Sequence, residues 1–261
     1  MTNVKTSVYS FLREIKKMFE QTTTSQNINS NIVTKKDKTV HFSVYIQVLI
    51  FLVGLLGLTI AATAFSFMFS SLSGTESFTS VVTYSAYITI FAVLMCTALI
   101  ERKQFVSKFK NPKDYGIGFL MGIVLIFATA LLSMTISSFA PISDNQNQVA
   151  VESTISFNPL MAILVLGIIG PICEEMTYRV GLFSFISRKS KVLAYIIVPI
   201  VFGFIHFDFG NITSLNEWLN LPIYVLSGLI LTFTYERFGP AASITAHITN
   251  NVFSIVVNLI Q

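Results

Sequence analysis

Stretches free of Asp, Glu, Lys and Arg occupy residues 39–75, 77–100, 115–143, 153–173, 192–207, 218–235 and 238–261. Several exceed the roughly 20 apolar residues that cross a bilayer, so the pattern predicts an all-α polytopic membrane protein with a bundle of seven transmembrane helices. The first stretch is long enough to fold as a hairpin, which makes eight spans the close alternative. It has no central Pro or polar turn, which favours one long, tilted helix from about 43 to 70. Ahead of the spans the pattern changes. Val8, Phe11, Leu12, Ile15, Met18 and Phe19 recur at helical spacing with Arg13, Lys16 and Lys17 on the other face, which predicts an interfacial helix on an anionic leaflet or a docking helix for another protein. Residues 21–34 are a polar linker. The chain thus divides into a cytoplasmic N-terminal segment, 1–40, and a transmembrane bundle, 41–261.

Composition sharpens this picture. Of 261 residues 53% are hydrophobic and 11% charged, where soluble domains carry about a quarter charged. A soluble globule, a disordered chain and a nucleic-acid module are excluded, the last despite a pI near 9.0. Cys96 and Cys173 both fall within spans, so no disulfide framework is implied. The first 40 residues have no apolar core of a cleavable signal peptide. Basic residues gather before the first span, at 102–113, at 188–191 and at Arg237, whereas the alternate loops carry only Glu76, Asp144, Glu152, Asp208 and Glu217. The positive-inside rule then puts the N-terminus in the cytoplasm and the C-terminus outside. One basic residue, Arg179, stays inside the fourth apolar segment with Glu174 and Glu175.

A charge in hydrocarbon is costly and marks a functional candidate whose partner must be named. Glu175 and Arg179 stand at i, i+4 and pair on one helix face, which leaves Glu174, rotated about 100° away, as a carboxylate free to act as a base. Pro171 lacks an N–H and releases the carbonyl of Gly167, a break tolerated at membrane depth beside a cavity or water. His206 follows Phe202 by four residues in segment five, and His247 precedes Asn251 by four in segment seven. A lone His or Asn in a span is more often an interhelical hydrogen-bond partner. Together with the acidic pair they supply a base, a proton shuttle and oxyanion donors, the parts needed to hydrolyse an amide with water. At about 1.5 Å per residue, Glu174 and Asn251 reach similar depths, whereas His206 comes out about 6 Å farther from the cytoplasmic face. Segment five must therefore tilt or start deeper. A Cys173 nucleophile is disfavoured by its acidic neighbours and the lack of a nearby imidazole.

These residues resemble the CAAX protease and bacteriocin-processing family of intramembrane endopeptidases, also called the Abi family. Its ordered pattern is matched by Glu174-Glu175-x-x-x-Arg179, Phe202-x-x-x-His206 and His247-x-x-x-Asn251, and the likeness covers about 155–257. The resemblance implies a helical-bundle peptidase in which Glu174 and His206 activate water, His247 and Asn251 stabilise the oxyanion, and Glu175 and Arg179 orient the site. Metal-dependent and metal-free members are both described. A zinc shell of Glu174, His206 and His247 is feasible, but no His-Glu-x-x-His occurs, which favours a metal-free glutamate-type enzyme. The implied partners are a membrane-associated peptide or protein substrate and the lipid bilayer, with no nucleic acid. Eukaryotic relatives take prenylated tails and bacterial ones take peptide leaders. Richness in Ile, Phe, Asn and Lys fits the cell membrane of a low-GC Gram-positive bacterium. The competing readings are an idle scaffold or bacteriocin-immunity protein of the same fold, and a proton-coupled transporter, disfavoured because no repeated halves are evident.

Overall fold

The computed structural model describes residues 37–75 and 77–260. The amphipathic segment 8–19 and the linker 21–34 lie outside the described residues. Nine helices organise the described part: α1 (Val44–Met68), α2 (Ser77–Leu99), the short α3 (Arg102–Ser107), α4 (Pro112–Ser137), α5 (Gln146–Phe157), α6 (Pro159–Ser187), α7 (Lys191–Phe204), α8 (Leu215–Phe238) and α9 (Pro240–Ile260). No strand occurs among the described residues. The first apolar stretch is one 25-residue helix, not a hairpin. Six helices, α1, α2, α4, α6, α8 and α9, are long and apolar enough to cross a membrane. The seventh apolar segment differs: α7 has 14 residues, about 21 Å against a hydrocarbon core of about 30 Å. Ser190 caps its start by accepting from the Leu193 N–H, and the chain turns beyond Phe204 to place His206 in a loop.

The charged ends of the helices meet as the alternating topology requires. Lys38 Nζ contacts Asp114 at 2.9 Å, and the Ser43 N–H donates to Glu101. Arg188 reaches back to Gln47 and to the Phe42 carbonyl, and Lys191 pairs with Glu236 at 2.8 Å. All belong to one end of the bundle, the basic one. At the other end Glu217 accepts from the backbone N–H groups of Gln146 and Asp208, so a single buried carboxylate ties the start of α5 to the loop after α7. The stretch 141–157 is therefore only partly a loop, since Asn145 caps α5 by accepting from the Gln148 N–H.

Helix association in lipid depends on close packing rather than hydrophobic burial, and α4 meets α9 through small residues. A Cβ at Gly118 would stand 2.5 Å from the Ala242 carbonyl oxygen, and one at Gly122 2.9 Å from that of Ala246. This seam fixes α9, and with it His247. Gly239, at φ 93°, ends α8 and Pro240 begins α9 directly, so the two helices are joined by a single residue.

Helix α6 is not uniformly α. Ile163–Ile169 and Met176–Phe183 are π-helical, on either side of the α-turn that holds Glu174 and Glu175. Such widened turns commonly accompany functional sites. The Gly170 N–H bonds to the Val165 carbonyl, five residues back. Continued by one residue, the same spacing would require an N–H from Pro171, which has none. The carbonyl released is therefore that of Leu166, one residue earlier than Gly167, and the Asn251 side-chain amide donates to it at 3.2 Å.

Replacing Gly122 by Leu should overpack the α4–α9 seam and destabilise the protein by about 1–3 kcal/mol. Gly116, whose Cβ would meet nothing within 4 Å, should accept Leu without loss. Thermal unfolding of both variants in detergent checks this, and equal midpoints would refute the seam.

Candidate active site

Arg179 is fully buried. Its Nη1 lies 2.9 Å from Glu175 Oε1, its Nη2 donates to the Gly228 carbonyl, and its guanidinium lies over the Phe202 ring at 4.4 Å. One side chain of α6 thereby engages α7 and α8. The close approach of α8 is possible because Gly228 has no Cβ, which would stand 2.9 Å from Pro199 Cα. Glu175 carries the connection to α9, its Oε1 lying 3.0 Å from His247 Nδ1. The i, i+4 pair expected from the sequence is thus part of a larger buried network.

Glu174 lies outside that pair. Its Oε2 is buried and makes no hydrogen bond, and His247 Nε2 is 3.7 Å away. His247 therefore stands between the two glutamates, facing Glu175 through one ring nitrogen and Glu174 through the other. Glu174 and His206 line a cavity of about 540 Å³ between α1, α2, α6 and α7, whose remaining wall is mostly apolar and aromatic, including Leu55, Tyr87, Tyr178 and Phe204. His206 Nδ1 is 2.8 Å from the Phe202 carbonyl. A carbonyl only accepts, so the neutral ring carries its hydrogen on Nδ1 and keeps a lone pair on Nε2.

His206 is held from several directions. Tyr224 of α8 stacks on its ring at 4.4 Å and 10°, and Asn145 donates to its backbone carbonyl. Tyr224 in turn donates to Asn145 Oδ1 and accepts from Asn147. Sequence reasoning missed Asn145, Asn147, Glu217 and Tyr224. The run Asn145-Gln146-Asn147-Gln148 between spans was a visible signal, since four successive amides are unusual beside an apolar segment. Tyr224, a lone aromatic in a span, gave none.

Of the six candidates, Glu174, Glu175, Arg179 and His247 form one contiguous cluster, and His206 shares a cavity with Glu174. Asn251 is set apart. Its amide nitrogen engages Leu166, its Oδ1 accepts from Asn250, and it lines a smaller cavity with His247. Among the described residues no three His, Cys, Asp or Glu side chains stand together as a set that could hold a metal ion.

Comparisons with known proteins extend this geometry. Residues 156–253 match the family model described as Type II CAAX prenyl endopeptidase Rce1-like. The protein named "UPF0177 protein YvdC" of Lactococcus lactis subsp. lactis (strain IL1403) is 25% identical over 195 residues, covering 70% of this chain and 69% of that protein. The protein named "Putative membrane peptidase YdiL" of Bacillus subtilis (strain 168) is 28% identical over 181 residues, covering 66% of this chain and 70% of the relative. No solved structure matches. The matched stretch contains all six candidate positions, and the multi-pass helical chain carries over residues 156–253 the likeness to membrane CAAX-type proteases that its Glu-Glu, His and His-Asn motifs signalled.

Proposed function

We propose that the protein is an intramembrane endopeptidase of a bacterial cell membrane, hydrolysing peptide bonds of membrane-associated peptides or proteins with a water activated by Glu174 and His206. The observation that carries this reading is that a carboxylate with an oxygen free of hydrogen bonds and an imidazole with an available lone pair open onto one largely apolar cavity. A base within hydrogen-bond reach of a water and a substrate carbonyl is the first requirement of such a reaction.

Water gives its proton to Glu174 as its oxygen attacks the peptide carbonyl carbon. His206, on the same cavity, orients that water through its free Nε2. The oxyanion forms on the carbonyl oxygen, and collapse breaks the C–N bond as the proton held by Glu174 passes to the leaving amine. Each atom and charge is returned, so no co-reactant is needed, and no step passes through a metal. Glu175 and Arg179 act as positioning residues, holding His247 against Glu174. His247, 3.7 Å from the carboxylate, is placed to balance its charge as it changes. Asn251 acts through the helix break, keeping the Leu166 carbonyl satisfied so that the turn bearing Glu174 retains its direction.

Glu174→Gln and His206→Ala should each lower cleavage of a membrane-anchored peptide by about 10²-fold or more, the usual contribution of a general base, while unfolding temperature stays near wild type. Purified protein with and without a chelator provides the comparison, and turnover surviving in both variants would refute the assignment. Arg179→Met should behave differently, because it strands a buried carboxylate at a cost of about 3–5 kcal/mol. Adding Glu175→Met should recover much of that loss in thermal unfolding. A double variant no more stable than Arg179→Met would show that the ion pair does not hold the site.

A further inference from the structure

The polar residues of α9 do not stop at the motif. His247, Asn251, Ser254 and Asn258 recur at i, i+4, i+7 and i+11, one face of a helix. Exposure differs along the stripe: Asn258 is half-buried, Ser254 exposed, Asn251 half-buried and His247 buried. A polar face running inward from a helix end is unfavourable against lipid and favourable against water.

Two cavities lie along this face, and a third adjoins them. The outermost, of about 170 Å³, is bordered by Asp144, Glu152 and Asn258 at the acidic end of the bundle. It shares Gln148, Val151 and Ser254 with the second, of about 130 Å³, which extends to Asn250, Asn251 and His247. The second shares His206 and Asn147 with the 540 Å³ cavity of Glu174. The middle space is large enough for about four waters at roughly 30 Å³ each, and its amide and imidazole lining provides the several polar partners each water requires. The Glu174 cavity is larger and has more apolar and aromatic side chains in its wall.

We infer that water enters the protein from the acidic end along the Ser254–Asn251–His247 face of α9, through the gap beside Gln148 and Asn147, and reaches His206 from the side opposite the apolar cavity. Water and an apolar substrate then approach the same imidazole by separate routes. The distance from Asn258 to His247 along α9 is about 16 Å, so the route crosses about half of the hydrocarbon layer. The delivery of this water to a peptide bond rests on the peptidase reading, whereas the route itself does not.

Single cysteines test the route in a Cys96→Ser, Cys173→Ala background. In sealed vesicles of known orientation, Ser254→Cys and Asn250→Cys should react with a membrane-impermeant trimethylammonium methanethiosulfonate added from the acidic side. Val256→Cys, on the exposed apolar face of the same helix, should react at least about tenfold more slowly, because only a hydrated thiol ionises to the reactive thiolate. Equal rates at the three positions, or reaction only from the basic side, would overturn the proposal. A second variant tests the use of the water. Ser254→Phe, which narrows the shared wall without touching Glu174 or His206, should lower kcat several-fold with KM unchanged. An unchanged kcat would overturn the delivery. Labelling requires no turnover, so the route fails on labelling alone, while the peptidase reading fails on the Glu174→Gln comparison.

Discussion

A guanidinium that water cannot reach depends on protein for its compensation, and Arg179 draws that compensation from three helices, with its Nε making no hydrogen bond. Glu175 neutralises it on its own helix, the Gly228 carbonyl of α8 accepts from it, and Phe202 of α7 covers it. Through Glu175 the same charge reaches His247 on α9. The interaction is more a condition of assembly than a source of stability. Any arrangement that separates these helices leaves a charge buried without compensation, so the bundle has few alternatives to the packing that also sets Glu174 beside His247. The small-residue seam between α4 and α9 and the missing Cβ at Gly228 allow the backbones to come close enough for that condition to be met.

Much of this was legible in the sequence, for a physical reason. Charges are so costly in hydrocarbon that a chain with 11% of them places each where it is needed. The seven apolar segments, the single first helix and the Glu175–Arg179 pair all follow from positions counted along one element. Contacts between elements were less accessible. His247 contacts Glu175 as well as Glu174, which spacing cannot reveal because the three residues belong to two helices. Asn251 was grouped with His247 by its i, i+4 interval, yet its amide is engaged by a carbonyl that only a π-turn frees. Tyr224 and Asn145 hold His206 through a ring face and a backbone carbonyl, neither of which leaves a pattern in sequence. The early end of α7 was hidden too, since Ile205, Phe207 and Phe209 continue its apolar run past the point where the helix has stopped.

The site is organised around strength of support on one side and openness on the other. Glu175 links Arg179 and His247 through contacts of 2.9 and 3.0 Å, whereas Glu174 lines the cavity with His247 3.7 Å away, and a buried oxygen of each glutamate makes no hydrogen bond. Buried polar atoms are generally satisfied, and one left unsatisfied beside a cavity is stabilised by whatever the cavity holds. The π-turn before Gly170-Pro171 contributes by freeing the Leu166 carbonyl that Asn251 engages, one turn before both glutamates.

The shortness of α7 also bears on the membrane around the protein. A helix of about 21 Å does not match a hydrocarbon layer of about 30 Å, and the loop that follows it and the first turn of α8 carry Phe209, Ile212, Leu215 and Trp218 at the surface, all exposed. Aromatic side chains of this kind settle at the level of the lipid headgroups. By helix length, that level should lie closer to the bilayer midplane on the α7 side than beside the 25-residue α1. A bilayer that meets the protein at α7 should therefore be thinner there than beside α1, and a lipid-borne chain approaching from that flank would meet a shorter hydrocarbon path between the headgroups and the carboxylate.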